Sequence, residues 1–296
     1  MKIFDCFMFF DEEMLLEIRF NELDKYVDKF VITESTYTHS GKAKKLIFDI
    51  KKYSKFKDKI IHIIVDKEPT KILDIFDSDS PDHKNSKFIM NAVQRENYQR
   101  NCLVKGLKEA SSSDLILISD LDEIPNLKYL DLSKIKNNLI LFKQINFYYK
   151  FNLYLENFDW YGVKGCRFKD LKSPQWLRNI KAKKYPFWRL DTIFSKTKAQ
   201  NVYFIDNGGW HFSYFKDAKG IEDKLKSYLH HREYDLEPLG LDRIKSMLKD
   251  NIPVYNLNTD MRKSKFEGSK PLKLSNEIEL PSFIKNNFDK FKDWFV

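Results

Sequence analysis

The chain has 296 residues, 42% hydrophobic and 32% charged, with a formal net charge of +9 and a mean hydropathy of −0.54. Its 25 Phe, 15 Tyr and 5 Trp supply ample surface to bury and exclude a disordered chain, while 9 Gly and 9 Pro are too few for collagen-like or low-complexity architectures. No apolar run approaches the roughly 20 residues that span a bilayer, and three scattered cysteines (Cys6, Cys102, Cys166) fit neither a zinc site nor a disulfide framework.

Lys2–Met8 reads as a strand. The apolar stretch Met1–Phe10 is too short for a signal peptide and runs into Asp11-Glu12-Glu13, so a cytoplasmic location is expected. Asp11–Tyr26 reads as a helix with Leu16, Phe20, Leu23 and Val27 on one face. Lys29–Glu34 and Ile60–Asp66 read as buried strands, Phe88–Ala110 as a long helix and Asp114–Ser119 as a further strand. Continuous apolar strands separated by helices predict a parallel sheet covered on both faces, with ligands bound outside the carboxyl ends of its strands. From Asn138 to Phe215 short β-like runs rich in Tyr, Phe and Trp are punctuated by Pro174, Pro186 and Gly208-Gly209. Ala218–His231 reads as a helix, and the polar, Lys-rich stretch beyond about Asn256 as an appended tail or docking segment.

The segment Leu115-Ile-Leu-Ile-Ser-Asp120-Leu-Asp122-Glu123-Ile-Pro125 carries the most chemistry. An apolar strand runs into three carboxylates and is stopped by proline. In extended chain, residues i and i+2 point the same way, about 6.5–7 Å apart, so Asp120 and Asp122 share one side. Two close carboxylates resist joint ionisation, and a divalent cation removes that cost. Hard oxygen ligands suit Mg²⁺ or Mn²⁺ held together with substrate phosphates. The competing reading is a solvated acidic loop that caps a helix.

Three further constellations surround this motif. On the preceding helix, Ile89, Val93, Asn97, Arg100, Val104 and Leu107 share a face, and Arg100 inside that stripe needs an anionic partner. Either Arg100 makes a structural ion pair with one of the strand carboxylates, or it has a functional place near a bound diphosphate or in ordering Asp120. Arg95 lies on another face and is expected in solvent. Lys29–Gly41 is a strand ending in hydrogen-bonding side chains, where a base and ribose would be read, or else an ordinary polar loop. In Asn207-Gly-Gly-Trp-His211-Phe-Ser213 the glycines permit close approach or positive φ, and His211 is either a third metal ligand or a satisfied core histidine. No Ser/His/Asp set, GxGxxG fingerprint or P-loop is present, which argues against Rossmann oxidoreductases and P-loop kinases. Basic residues rarely cluster, so nucleic acid is not an expected partner, although a basic surface suits peripheral membrane contact.

Taken in order, Asp5-Cys6, Phe9, Leu15–Arg19, Val27-Asp28, Glu34-Ser35, Thr38, Gly41, Lys45–Phe48, Arg100, Asp120–Pro125 and Gly209–Ser213 resemble glycosyltransferase family 17, the family of the bisecting β-1,4-N-acetylglucosaminyltransferase. The resemblance implies a GT-A-like α/β fold: a Rossmann-type nucleotide-binding sandwich on a mostly parallel central sheet. The organisation of the chain divides it into a catalytic domain over residues 1–255, with a nucleotide-binding half (1–125) and an aromatic-rich acceptor-side half (126–255), followed by a C-terminal extension (256–296), and the resemblance covers roughly residues 1–235. It implies an inverting transfer of N-acetylglucosamine from a UDP-sugar to a glycan or other hydroxyl acceptor, with Mn²⁺ or Mg²⁺. In that scheme Asp122 binds the ion, Asp120 holds the ion or the donor ribose, and His211 completes the metal shell or contacts a phosphate. Glu34, Ser35, Thr38 and Gly41 read the nucleoside, Arg100 lies near the diphosphate, and Glu123 orients Asp122. Asp206, Asp191 and Asp217 are the candidate general bases, because each lies in the aromatic half. Tyr and Trp residues of 147–188 stack on sugar rings or fill the core. The competing functions are a metal-dependent nucleotidyltransferase, which also holds a nucleotide through paired carboxylates, and a non-catalytic carbohydrate-binding protein.

Overall fold

The computed structural model describes residues 1–186, 188–228, 231–257 and 264–296. Residues 229–230 of the expected last helix and 258–263 of the expected tail lie outside the described residues. The four apolar runs of the first 120 residues become β1 (Ile3–Phe9), β2 (Lys29–Ser35), β3 (Ile60–Val65) and β4 (Leu115–Asp120). They are mutually parallel, in the order β3-β2-β1-β4. Alternation along β4 sends Leu115 and Leu117 to one face and Ile116 and Ile118 to the other, and each pair joins a different hydrophobic cluster. One face is covered by α1 (Glu13–Leu23), which contributes Leu15, Leu16, Ile18, Phe20 and Leu23 to the larger cluster. The strand order reverses between β1 and β4, and such a switch point opens a crevice at the carboxyl ends of the two strands.

The long helix differs from the expectation. It is α2 (Pro81–Asn101), started by Ser80, whose hydroxyl accepts from the His83 amide, and by Pro81 in the first turn. A tighter 3₁₀ turn then runs from Cys102 to Gly106. The expected stripe is buried only in part: Arg100 and Leu107 are buried, Ile89 and Val104 are exposed, and Asn91, Ala92 and Gln99, outside the stripe, are buried. The physical reason is that α2 reaches the polar end of the sheet, where Gln99 donates to the carbonyl of Thr33 and Arg100 meets carboxylates.

Beyond β4 the sheet becomes mixed. The later strands are β5 (Glu123–Pro125), β6 (Leu139–Tyr148), β7 (Leu153–Trp160), β8 (Lys164–Arg167), β9 (Val202–Ser213) and β10 (Lys273–Leu274). β8 lies antiparallel beside β4, and β6 antiparallel beside β8. β7 and β10 extend one side antiparallel, and β9 runs parallel to β6 on the other. β5 pairs with β9 so that Glu123 faces His211 and Ile124 faces Trp210. This pairing brings the acidic turn and the Gly-Gly-Trp-His segment, some 90 residues apart in the chain, side by side.

Short helices fill the remaining space: α3 (Pro174–Arg178), α4 (Asp191–Phe194), α5 (Ala218–Ser227), α6 (His231–Leu236), α7 (Leu241–Lys249), α8 (Ser282–Asn286) and α9 (Phe288–Phe291). α5 to α7 pack Ile221, Leu225, Tyr234 and Ile244 with Tyr148 and Tyr149 in a second core. The C-terminal segment docks on this chain's own core. Leu280, Ile284 and Phe291 join the main cluster, the Trp210 indole donates to the Glu279 carbonyl, and the Phe151 amide donates to the Trp294 carbonyl. Among the described residues no helix is long and apolar enough to cross a membrane.

Candidate functional site

A cavity of about 360 Å³ opens at the carboxyl ends of β1, β2 and β4. Its walls come from Met8–Phe10, from Ser35, Tyr37 and Thr38 after β2, from Asp120–Glu123, from His211 and Ser213 on β9, and from Lys224 on α5. Its floor is the acidic turn, and a buried arginine fixes the shape of that turn. Arg19 of α1 has no exposed side-chain surface and pairs with the equally buried Asp5 of β1 through Nε (2.7 Å) and Nη2 (2.5 Å). Its Nη1 donates to the carbonyl oxygens of Asp120 (3.0 Å), Leu121 (3.1 Å) and Glu123 (2.9 Å), and Nη2 also reaches Ser119 Oγ. Three carbonyls that a sharp turn would leave without partners are therefore held by one guanidinium.

Two more arginines hold the turn's side chains. Asp120 receives Arg100 Nη2 on one oxygen (2.9 Å) and Arg178 Nη2 on the other (2.7 Å). Burial opposes its charge, but the Arg178 and Arg100 guanidiniums outweigh that and hold the carboxyl well below the usual carboxylate range. Arg178 also makes a two-oxygen contact with Glu123, whose Oε1 accepts from the Trp160 indole at 2.7 Å and whose Oε2 accepts the Asp120 amide at 2.8 Å. Glu123 is thus a buried brace. A Cβ added at Gly162 would lie 2.0 Å from its carboxyl carbon, so only glycine leaves room for it.

Asp122 and His211 form the other half of the floor. Asp122 Oδ1 stands 3.9 Å from His211 Nε2, and Oδ2 receives Lys224 Nζ at 3.1 Å. Lys224 also lies 3.5 Å from Glu12, and the two carboxylates raise its pKa against the opposing effect of burial. His211 stacks on Trp160 with centroids 4.6 Å apart. Burial lowers its pKa, against the pull of Asp122 and Glu123, and keeps the imidazole neutral near pH 7. The close seat of His211 depends on Gly209, at φ +130, whose added Cβ would sit 2.2 Å from the Ile124 carbonyl oxygen. Tyr214, in the cavity wall after β9, takes φ +56, a rare conformation for a bulky residue.

Among the described residues no group of three or more His, Cys, Asp or Glu side chains is arranged to hold a metal ion. Asp122 with neutral His211 is a two-ligand set, which suits a divalent ion that takes its remaining ligands from phosphates and water. The donor chemistry fits. The two oxygens of Asp120, by contrast, are engaged by arginines.

The remaining residues singled out in the sequence divide by position. Ser35 and Thr38 line the cavity, with Ser35 Oγ bonded to the Val65 carbonyl and Thr38 Oγ1 to Ser40 and the Lys42 amide. Glu34 is fully buried, and it anchors the 44–48 segment through Lys44 and the Ile47 and Phe48 amides. Burial would raise its pKa, but His62, Lys44 and the Ile47 amide pull it down to about 2. Gly41 lies outside the cavity lining at φ +90, under the guanidinium of Arg95. Arg95 is therefore not in solvent. It lies over the loop and pairs with Glu68 at 2.8 Å. Arg100 meets both a strand carboxylate and Glu96. The three base candidates do not line the cavity: Asp206 is exposed on β9, Asp191 pairs with Arg189 and Lys198, and Asp217 caps α5 by accepting from the Gly220 amide. The aromatics of 147–188 split, with Trp160 in the cavity wall, Tyr149 in the second core, and Tyr148 in that core with an edge on the cavity.

Sequence reasoning gave no role to Arg19, Arg178, Lys224 or Glu12. Arg19 stands on an otherwise apolar helix face, a signal that was available; Arg178, 58 residues from Asp120, carries none. Among known proteins, the family model for Glycosyltransferase family 17 matches residues 1–295. No curated protein matches the chain.

Proposed function

The chain belongs to glycosyltransferase family 17 and is a glycosyltransferase; we propose that it moves N-acetylglucosamine from a UDP-sugar to a hydroxyl of a glycan or glycoconjugate, with inversion and with Mn²⁺ or Mg²⁺ bound. The observation that carries this reading is the Asp122–His211 pair at the strand-order switch point, beside a row of cationic side chains. Asp122 and His211 would hold the cation, which when bound neutralises charge on the departing diphosphate. Lys224 stands where it can shift from Asp122 to a phosphate oxygen. Asp120, fixed and ionised by its two arginines, presents its free lone pairs to the ribose. Ser35 and Thr38 face the nucleoside end.

An inverting transfer needs a carboxylate that takes the proton from the acceptor hydroxyl as it attacks opposite the leaving UDP. Elimination within the cavity leaves Glu12. Asp120, Glu123 and Glu96 are bonded to arginines, and Asp122 is assigned to the cation. Among the described residues the Glu12 carboxylate meets Lys224 at 3.5 Å and the Asp11 amide at 3.2 Å, and no arginine. We therefore place the base there rather than at Asp206, Asp191 or Asp217.

The test is a thermal-shift screen of UDP-sugars and nucleoside triphosphates with Mn²⁺, followed by transfer assays. A donor at 100 times its Kd stabilises by about 2.7 kcal/mol. With about 2.1 cal/mol/K per residue over 296 residues, that raises Tm by about 4 °C. UDP-N-acetylglucosamine should give the largest shift, and Asp122→Ala should remove its Mn²⁺-dependent part. Glu12→Gln should keep donor binding and lose transfer. Stronger stabilisation by a triphosphate than by any UDP-sugar would replace the reading with a nucleotidyltransferase. Binding of sugars without nucleotide or metal would make the protein a carbohydrate-binding module.

A further inference from the structure

We propose that the excursion between α3 and β9 is a docking face for anionic lipid bilayers. The chain leaves the sheet region at Lys181 and returns at Lys198, and its neck is closed by the Lys181 amide donating to the Thr197 carbonyl at 2.8 Å. Buried Thr192, whose hydroxyl bonds the Arg189 carbonyl at 2.6 Å, gives the tip a defined shape. From that tip project Leu190 (66% exposed), Ile193 (68%) and Phe194 (88%), with Trp188 exposed beside them. Single exposed apolar residues are ordinary, but four within seven positions form a patch with a purpose.

The charge around the patch names the partner. Residues 181–198 hold six basic side chains and one acid, Asp191, which Arg189 and Lys198 already neutralise. Lys181, Lys183, Lys184 and Lys196 are exposed. An apolar tip on an excursion rich in exposed lysines matches the boundary of a bilayer, where rings and aliphatic chains enter the acyl edge and ammonium groups stay among phosphates. A neutral protein groove would satisfy the tip and leave the lysines without partners. The excursion begins three residues after Arg178, which lines the cavity, so docking holds the site close to the lipid surface. Only that last consequence, access to an acceptor carried on a lipid, rests on the transferase reading; the binding itself does not.

The experiment is co-sedimentation of the full chain, without nucleotide, with vesicles of phosphatidylcholine alone or with one-third phosphatidylglycerol. The wild type should pellet with the anionic vesicles only, and added salt should release it. Ile193→Ser/Phe194→Ser should weaken binding at least tenfold, from the lost apolar burial. Lys183→Glu/Lys184→Glu should weaken it about 25-fold or more, at about fivefold per basic side chain. All four positions are exposed, so unchanged melting curves will show that the variants fold. A wild type that stays in the supernatant with anionic vesicles overturns the proposal, as does equal binding by Ile193→Ser/Phe194→Ser. A wild-type dimer in solution that this variant converts to monomer also overturns it, because the patch then serves a second copy.

Discussion

Arg19→Met isolates what the buried guanidinium does. The substitution keeps the length of the stem and deletes every bond the head makes, to Asp5, to Ser119 and to the carbonyls of Asp120, Leu121 and Glu123. Asp5 is left as a buried carboxylate without its counter-ion, at 0% exposure. Breaking a buried pair from one side costs about 3–5 kcal/mol. At about 2.1 cal/mol/K per residue the unfolding entropy of 296 residues is roughly 0.6 kcal/mol/K, so Tm should fall by about 5–8 °C. The double variant Asp5→Leu/Arg19→Met removes both charges and should recover about 2 kcal/mol or more of that loss. It should not recover Mn²⁺-dependent stabilisation by the UDP-sugar, because the three turn carbonyls still lack their donor. Urea melts and thermal shifts of wild type, singles and double form one cycle. The reasoning fails if Arg19→Met costs less than about 1 kcal/mol, or if the two single effects simply add.

Two other perturbations test the supports of the site. Lys164 is buried and donates to the carbonyls of Arg178 and Ile180, and burial together with the Arg178 charge lowers its pKa to about 7. Between that value and the ordinary 10.5 the unfolded chain binds a proton the folded chain has released, so this residue makes stability rise with pH by up to about 1.4 kcal/mol per unit, whereas below pH 7 its contribution is flat. Urea melts of wild type and Lys164→Met on both sides of neutrality check this; a difference between the two proteins that does not change with pH would contradict it. Gly162→Ala places a methyl 2.0 Å from the Glu123 carboxyl carbon and should destabilise by about 1–3 kcal/mol while weakening metal-dependent donor binding. A variant with wild-type melting and donor binding would show that the brace is dispensable.

The parallel half of the sheet was legible because its strands are unbroken apolar runs, and the acidic turn because β4 delivers three carboxylates directly before a proline. The helix before it was misplaced for a physical reason. Its start signal is Ser80-Pro81, upstream of the apolar period, and its buried face is polar because it meets the cavity end of the sheet. Periodicity counts apolar residues, so it pointed to Ile89 and Val104, which face water. Helical phase likewise sent Arg95 to solvent, when a glycine loop 54 residues earlier lies beneath it. Partners of this kind are properties of topology. Arg178 reaches Asp120 from a five-residue helix that follows a change of strand direction, and Glu12 enters the cavity only because β1 ends there. For the same reason, membership of the aromatic half was not enough to bring Asp206, Asp191 or Asp217 to the cavity.

The docking of residues 279–295 onto the core has a bearing on how the molecule is made. Phe151, Trp210 and Phe215 belong to the main core, yet Phe291 packs on Phe151, Trp294 on Phe215, and the Glu279 carbonyl accepts from Trp210. A ribosome that has released the strands of the second half has still not supplied their last neighbours. At translation rates of about 5–20 residues per second, the roughly 80 residues between Trp210 and Phe291 take several seconds. During that interval a nascent aromatic face stands open, so production in cells should be sensitive to chaperone supply even when the finished protein is stable.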